Sequence, residues 1–391
     1  MGDPVKVVEV VRRTVWRQTS HSIGQPGGGA LAREQPARDN VTMKEIELKF
    51  QVPEASWMVL QDELSALPGG QWPLQTLEAI YFDTPDRRLA RARAALRIRR
   101  EDDDWVQTLK AAGANPMVRL EDNQPCPAPA AGQTASPDLS RHHGHARDAL
   151  VRDLGWDPVT DPAGVGTGLT ALYGTAMQRQ RAQLAVTVPG QPPAFGTVEL
   201  ALDQGEIRAG TLQRAVRELE IELIEGDPRA VLVVARDLVV RHGVWLDVQT
   251  KAHRGDQLAR EASSGRPSPM PPARPRARQA AWTAGLQAAV DQISHNASEV
   301  AQSTTSAGAE LSPWAHSWVS GLRRARMLWR HAPSAVRAHA AHGQVSAGLD
   351  ALTASLQGTA SLTAGQLRAL ARSQAHTLLL LALLDTLVQP G

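Results

Sequence analysis

Glu45-Ile46-Glu47-Leu48-Lys49-Phe50 alternates charge and hydrocarbon at a strict period of two. In an extended strand that period sends Glu45, Glu47 and Lys49 to one side and Ile46, Leu48 and Phe50 to the other. The pattern recurs to about residue 255. Arg97 and Arg99 alternate with Leu96 and Ile98, Thr108 and Lys110 flank Leu109, and Arg119 and Glu121 flank Leu120. Glu199, Ala201 and Asp203 alternate with Val198, Leu200 and Leu202, and Glu218, Glu220 and Glu222 with Leu219, Ile221 and Leu223. Helical periodicity interrupts the strands at Glu54–Leu67 and Pro228–His242, and the Pro-rich stretch 122–141 reads as a long loop. An α+β fold with antiparallel strands follows.

A solvated sheet face mixes Thr, Ser and Gln among its charges, and exposed ion pairs contribute only about 0–1 kcal/mol each. Strands whose polar side is almost wholly carboxylate, guanidinium and amine therefore predict an enclosed lumen: a closed antiparallel β-barrel, charged inside, with helices around it. Lys49, Arg97, Arg99, Lys110, Arg119, Arg179, Arg181 and Lys251 would make a cationic wall. Guanidinium forks match phosphate oxygens in pairs. Glu45, Glu47, Glu121, Glu199, Asp203, Glu218, Glu220 and Glu222 would make an anionic wall. Carboxylates repel a polyphosphate unless divalent cations stand between, and oxygen ligands beside phosphates suit Mg²⁺ or Mn²⁺. The expectation is metal-dependent phosphoanhydride chemistry without a Walker loop.

The 391 residues suffice for two domains, and 42% hydrophobic content predicts a packed core. A net charge of +2 argues against a general nucleic-acid-binding coat, so any polyanion site is local. The single cysteine, Cys126, excludes an internal disulfide framework and a thiolate-rich zinc site. The apolar run Thr377–Val388 is too short to span a bilayer and contains Asp385, and residues 1–20 lack the apolar segment of a signal peptide. A soluble, cytoplasmic protein is expected. The basic residues are overwhelmingly arginine; the five lysines are Lys6, Lys44, Lys49, Lys110 and Lys251.

Glu45-Ile46-Glu47-Leu48-Lys49 resembles the ExExK signature of the CYTH superfamily, the triphosphate tunnel metalloenzymes. Further segments resemble family motifs in order: Tyr81-Phe82-Asp83-Thr84-Pro85 leading to Leu96-Arg97-Ile98-Arg99, Gln107-Thr108-Leu109-Lys110, Arg119-Leu120-Glu121, Arg179-Gln180-Arg181, Glu199 to Asp203, Glu220-Ile221-Glu222, and Lys251. The likeness covers about 43–258. It implies hydrolysis of inorganic triphosphate to pyrophosphate and phosphate inside the tunnel. Arg97, Arg99, Lys110, Arg119, Arg179, Arg181 and Lys251 would bind substrate. Glu45, Glu47, Asp203, Glu220 and Glu222 would hold the metal, and Lys49, Glu121 and Lys110 would act in catalysis. Thiamine triphosphatase, a class IV adenylyl cyclase and a non-catalytic polyphosphate-binding protein are the alternatives. Few aromatics (three Phe, two Tyr, ten Trp) are available to stack a base, which favours the inorganic substrate. Arg93 stands where relatives often have glycine.

Residues 1–42 read as a disordered extension, with Met43 as a candidate translation start, and 259–279 as a Pro/Arg-rich linker. Beyond it, Ala280–Ser294, Pro313–His331, Ser346–Leu356 and Ala364–Val388 read as helices of a second, all-α domain. The segment around His316-Ser317-Trp318 resembles the first motif of CHAD domains, in a truncated and divergent form with Val319 where arginine is usual. That implies polyphosphate contacts from His316, Arg323, Arg326 and Arg330, which share one helix side.

Overall fold

A computed structural model describes residues 43–67, 74–112, 118–130, 132–266, 270–274, 281–339, 341–357 and 361–388. The predicted extension, 1–42, lies outside them, as does the Arg119 side chain. Among the described residues the strands are β1 (Met43–Gln51), β2 (Gln75–Asp83), β3 (Ala94–Glu101), β4 (Asp104–Ala112), β5 (Val118–Pro125), β6 (Thr170–Val188), β7 (Ala194–Ala209), β8 (Leu212–Gly226) and the short β9 (Trp245–Leu246). The helices accompanying them are α1 (Glu54–Ser65), α2 (Arg88–Arg91), α3 (Gly144–Leu154), α4 (Arg229–His242) and α5 (Lys251–Ser264). The tail follows as α6 (Trp282–Gln302), α7 (Gly308–Arg330), α8 (Ser334–Ala338), α9 (His342–Ser355), α10 (Ala364–Ala371) and α11 (Gln374–Val388).

The strands form one antiparallel sheet in the order β5-β4-β3-β2-β6-β7-β8-β1-β9. Its long central ladders pair β6 with β7 and β7 with β8. The sheet curls, and β5 meets β1 only along Met43–Ile46 against Val118–Glu121. The expected closed barrel is thus a curled sheet whose ends touch along a short seam. Strands of 15 to 19 residues at the centre face partners of 8 or 9 at that end, so the seam cannot match the central ladders.

Period two sets what each face does. Leu48, Phe50, Val198, Leu200, Leu202, Leu219 and Ile221 point outward, where α1 covers them with Trp57, Leu60 and Leu64 and α4 with Val231, Leu232, Ala235 and Leu238. The charged residues point the other way. The same apolar cluster continues without a break into the tail, through Leu286, Val290, Ile293, Trp318, Leu322, Leu380, Leu381 and Leu384. Tail and sheet therefore share one core.

Local chemistry moves several boundaries from their sequence-predicted places. Helix α5 starts where Thr250 accepts the His253 backbone N–H and runs through residue 259, where the linker was expected to begin, to end at Gly265 in a left-handed conformation. The single helix expected over Ala364–Val388 breaks after Ala371, where the Ser373 hydroxyl accepts the His376 N–H and starts α11. The loop after β5 is tied to the sheet by Gln107, whose amide donates to the Asp138 carbonyl and accepts its N–H at 2.8 and 2.9 Å. His142 is wholly buried there, its Nδ1 2.6 Å from Asp122, whereas His143 and His145 are exposed.

The shared core has a thermal consequence. Leu381→Ala, in the tail, removes a fully buried side chain at a cost of about 2–5 kcal/mol. Calorimetry should show the whole chain melting earlier in one endotherm. A separate low-temperature endotherm for the tail, with the sheet's transition unmoved, would contradict a common core.

Candidate active site

Strand register assembles the polar face in rows. Glu47 of β1 stands opposite Glu222 of β8, and Glu222 opposite Glu199 of β7, so three carboxylates lie side by side. The next row runs Lys49, Glu220, Ala201, Arg181, and the one after it Gln51, Glu218, Asp203, Arg179. On the other half, Glu121 faces Lys110, and Asn123, Thr108, Arg97 and Tyr81 form a row across β5, β4, β3 and β2. Lys251 and Arg254 enter from the first turn of α5.

The row nearest α5 is saturated with ion pairs. Arg179 grips Asp203 with both arms of its fork, Nε and Nη2 each donating at 2.6 Å, and Nη2 also reaches Glu220 at 2.7 Å. Lys251 donates to Asp203 at 2.8 Å and Glu220 at 3.0 Å, and contacts Glu218. Lys49 lies 2.5 Å from Glu47 and 3.0 Å from Glu220. Glu218 is wholly buried and paired with Arg254. Burial opposes ionisation of Asp203 and Glu220, but the surrounding cations win. Arg179 and Lys251 hold Asp203 below the usual carboxylate range, and Lys251, Lys49 and Arg179 hold Glu220 well below it.

The opposite end carries surplus negative charge. Lys110 donates to Glu45 at 2.9 and 3.1 Å and to Glu121 at 2.7 Å, so one amine serves two carboxylates. Burial opposes its charge, yet Glu121, Glu47 and Glu45 together raise it above the ordinary lysine range. Burial, with Glu47 and Glu121 close by, pushes Glu45 up to about 8 against the pull of Lys110. Burial, reinforced by Glu47, Glu121 and Glu199, pushes Glu222 up to about 7. Like charges directly opposite in a ladder are destabilising.

Arg97 donates to the Tyr81 hydroxyl at 3.3 Å, and Tyr81 stacks on Tyr173 with ring centroids 4.8 Å apart. Arg99 binds Glu101 through Nε at 2.6 Å. Burial and the neighbouring Arg97 charge lower Arg99 to about 10. Arg181 stands 3.6 Å from Glu199. Tyr173 also fixes α5: its hydroxyl donates to the Ala252 carbonyl at 2.9 Å. A Cβ on Gly255 would lie 2.2 Å from the Tyr173 ring, so the helix carrying Lys251 can approach only with glycine there.

A CYTH domain model matches residues 43–255. The chain belongs to the CYTH family. It is 24% identical over 220 residues to the inorganic triphosphatase of Haemophilus influenzae, covering 56% of this chain and 55% of that protein. It thus spans about half the length of that curated relative. Among solved structures it is similar to a Hippeastrum protein named for adenylyl cyclase and described as having a dominant triphosphatase activity (24% identity, 57% of this chain and 98% of that one, TM-score 0.35). It is also similar to a Bacillus halodurans protein named for adenylate cyclase (21% identity, 50% and 88%, TM-score 0.33).

The CYTH sheet brings Glu45, Glu47, Lys49, Arg97, Arg99, Lys110, Glu121, Arg179, Arg181, Asp203, Glu220 and Glu222 onto one face, and α5 adds Lys251 to it. Sequence reasoning left Glu218 without a definite role and missed Arg254, Gln51 and Tyr81 as members of the network. Arg254 follows Lys251 by three residues, the spacing that puts two side chains on one helix face, and was masked by treating the segment as close to a linker. The tail set sits apart on α7. His316, Arg323 and Arg330 are exposed there, with the His316 ring 2.8 Å from the Ser312 carbonyl, while Arg326 is held by Asp350 of α9. No helix among the described residues is long and apolar enough to cross a membrane.

The raised carboxyls make metal-free stability depend on pH. A group protonated in the fold but ionised when unfolded adds stability at low pH, lost as pH rises through its folded value. Between roughly pH 4.5, the ordinary value of a glutamate carboxyl, and about 7 to 8, the folded state binds the extra protons on Glu222 and Glu45. In EDTA, the melting temperature should therefore fall from pH 5 to pH 8, and Glu222→Gln should flatten that fall. An unchanged slope in Glu222→Gln would show that the carboxylate row is not strained.

Proposed function

We propose that this protein hydrolyses inorganic triphosphate to pyrophosphate and phosphate on the inner face of the curled sheet, which works as a tunnel with the β1–β5 seam as its closure. The observation that carries this reading is the division of that face: a carboxylate row, Glu47–Glu222–Glu199, set against a wall of arginines and lysines. Family membership and the likeness to an inorganic triphosphatase support it.

The donor set suits a hard divalent cation. Three adjacent carboxylates with Glu45 beside them offer only oxygen, and their proximity is unfavourable without a positive charge between them. Glu45, Glu47 and Glu222 would hold Mg²⁺ or Mn²⁺. Asp203, Glu218 and Glu220 also bring their oxygens within 4.8 Å of one another, but arginine and lysine already neutralise that trio, so Asp203 and Glu220 serve better as anchors for Arg179 and Lys251. The bound ion would neutralise phosphate oxygens and lower the pKa of a coordinated water.

Phosphoryl transfer asks a protein mainly for positioning and charge stabilisation. Arg97, Arg99, Arg181, Arg179 and Lys251 line the wall where a triphosphate would lie, with Arg119 as a further member of the motif set. Lys110, kept charged by Glu121 and Glu45, would stabilise charge developing as the phosphoanhydride bond breaks. Lys49, held between Glu47 and Glu220, keeps those two carboxylates in place. A tail contact to longer polyphosphate would use His316, Arg323 and Arg330, with Arg326 available once released from Asp350.

Purified protein should release phosphate from tripolyphosphate only with Mg²⁺ or Mn²⁺. Glu45→Ala/Glu47→Ala should abolish turnover, and Arg97→Ala should lower kcat/KM by about 10²–10³. ATP and thiamine triphosphate assayed in parallel rank the substrates. A folded protein that binds polyphosphate yet turns over none of the three would leave a binding module in place of an enzyme.

A further inference from the structure

Asp247 follows β9 and is almost wholly buried, and among the described residues it forms no ion pair. Neutral donors hold it. Its Oδ2 accepts from Gln51 Nε2 at 3.0 Å and from Gln302 Nε2 at 2.6 Å, and its Oδ1 accepts the Gln249 N–H at 2.9 Å. Gln51 Nε2 also donates to Glu218 Oε1 at 3.0 Å, so both N–H bonds of that amide are committed. Glu218 in turn meets Lys251 and Arg254. The relay therefore runs from the tail to the wall of the tunnel: Gln302 is the last residue of α6, Asp247 the hinge of the relay, and Glu218 its inner end.

Two further α6 side chains hold the same segment. The Ser298 hydroxyl accepts the Val248 N–H at 3.1 Å, and Glu299 lies 2.8 Å from His253 Nε2. Residues 247–253, from which Lys251 projects onto Asp203, Glu218 and Glu220, are thus tied to the tail at three points. A buried carboxylate that loses one of few donors is left short of hydrogen bonds, and the remaining donors shift toward it. The remaining side-chain donors are the Ser298 hydroxyl and the Gln51 amide, and of these Gln51 is the one whose second bond is to Glu218.

We propose that Gln302 and Asp247 are positioning residues of the tunnel: acting through Gln51, they set Glu218 and with it the Lys251 amine that grips substrate. The assignment of Lys251 to substrate rests on the function proposed above. The helical tail is then part of the substrate-binding machinery.

The test uses the full chain. Gln302→Met keeps the side chain's length and removes its donor. Tripolyphosphate affinity with Mg²⁺, by calorimetry, should weaken about tenfold, and KM should rise by a similar factor while kcat changes less than twofold. Asp385→Asn is the docking control, because it breaks the 2.8 Å pair with Arg236 that joins α11 to α4 without touching the relay. It should leave Kd and KM at wild-type values. Gln302→Met within twofold of wild type in both, or Asp385→Asn matching its loss, overturns the proposal. Should Gln302→Met not fold, hydrogen exchange on the wild type decides: tripolyphosphate should slow exchange in 247–253 and in 296–303 together, and protection of the first alone overturns it. A wild type that binds tripolyphosphate without hydrolysing it, with the tenfold loss intact, removes the hydrolase reading and leaves the positioning role standing.

Discussion

The Arg179–Asp203–Lys251–Glu218–Arg254 network is the constraint on which the molecule depends. Buried charges are tolerated only where each has a partner in good geometry, since an uncompensated one costs several kcal/mol. Four elements must therefore come together at once: β6 brings Arg179, β7 Asp203, β8 Glu218, and α5 Lys251 and Arg254. Loss of one partner leaves another buried and unmatched. The network fixes the register of the long strands and the seat of α5. Gly255 against Tyr173 makes that seat geometrically available.

The two ends of the polar face contrast in the same terms. Around Asp203 cations match carboxylates, and the acids ionise readily. Around Glu222 carboxylates outnumber their partners, and burial drives two of them toward the protonated form. One face thus carries a self-satisfied half that gives rigidity and a half that is complete only with a cation. Ala201, between Glu220 and Arg181 in its row, is the one small residue there.

Much of this was legible in the sequence because period two is a local signal. Glu45 to Lys49 gave away which residues share a face, and the motif order from Tyr81 to Lys251 gave away the family. Which carboxylates become neighbours was not legible: the row Glu47–Glu222–Glu199 exists only through the pairing of β1 with β8 and β8 with β7. Helix α5 was half hidden by the prolines that follow it, although Thr250 carries its capping signal. The exposed side of α7 followed from helical spacing, but the ion pair that engages Arg326 lies on another helix and has no local signature. The relay through Asp247 joins residues up to 251 positions apart, beyond the reach of any pattern.

The single hydrophobic core bears on how the chain is made. Leu380, Leu381, Leu383 and Leu384 complete a cluster that begins at Leu48. The apolar side of α4 therefore waits, uncovered by α11, while the ribosome adds roughly 130 further residues beyond residue 258, a delay of about 7–25 s at ordinary synthesis rates. During that interval the nascent sheet leaves apolar surface exposed, the condition under which folding chains aggregate. Proteolysis of ribosome-bound chains of increasing length would show resistance arriving late, near residue 388, and early resistance at about 260 would mean the sheet closes its core unaided.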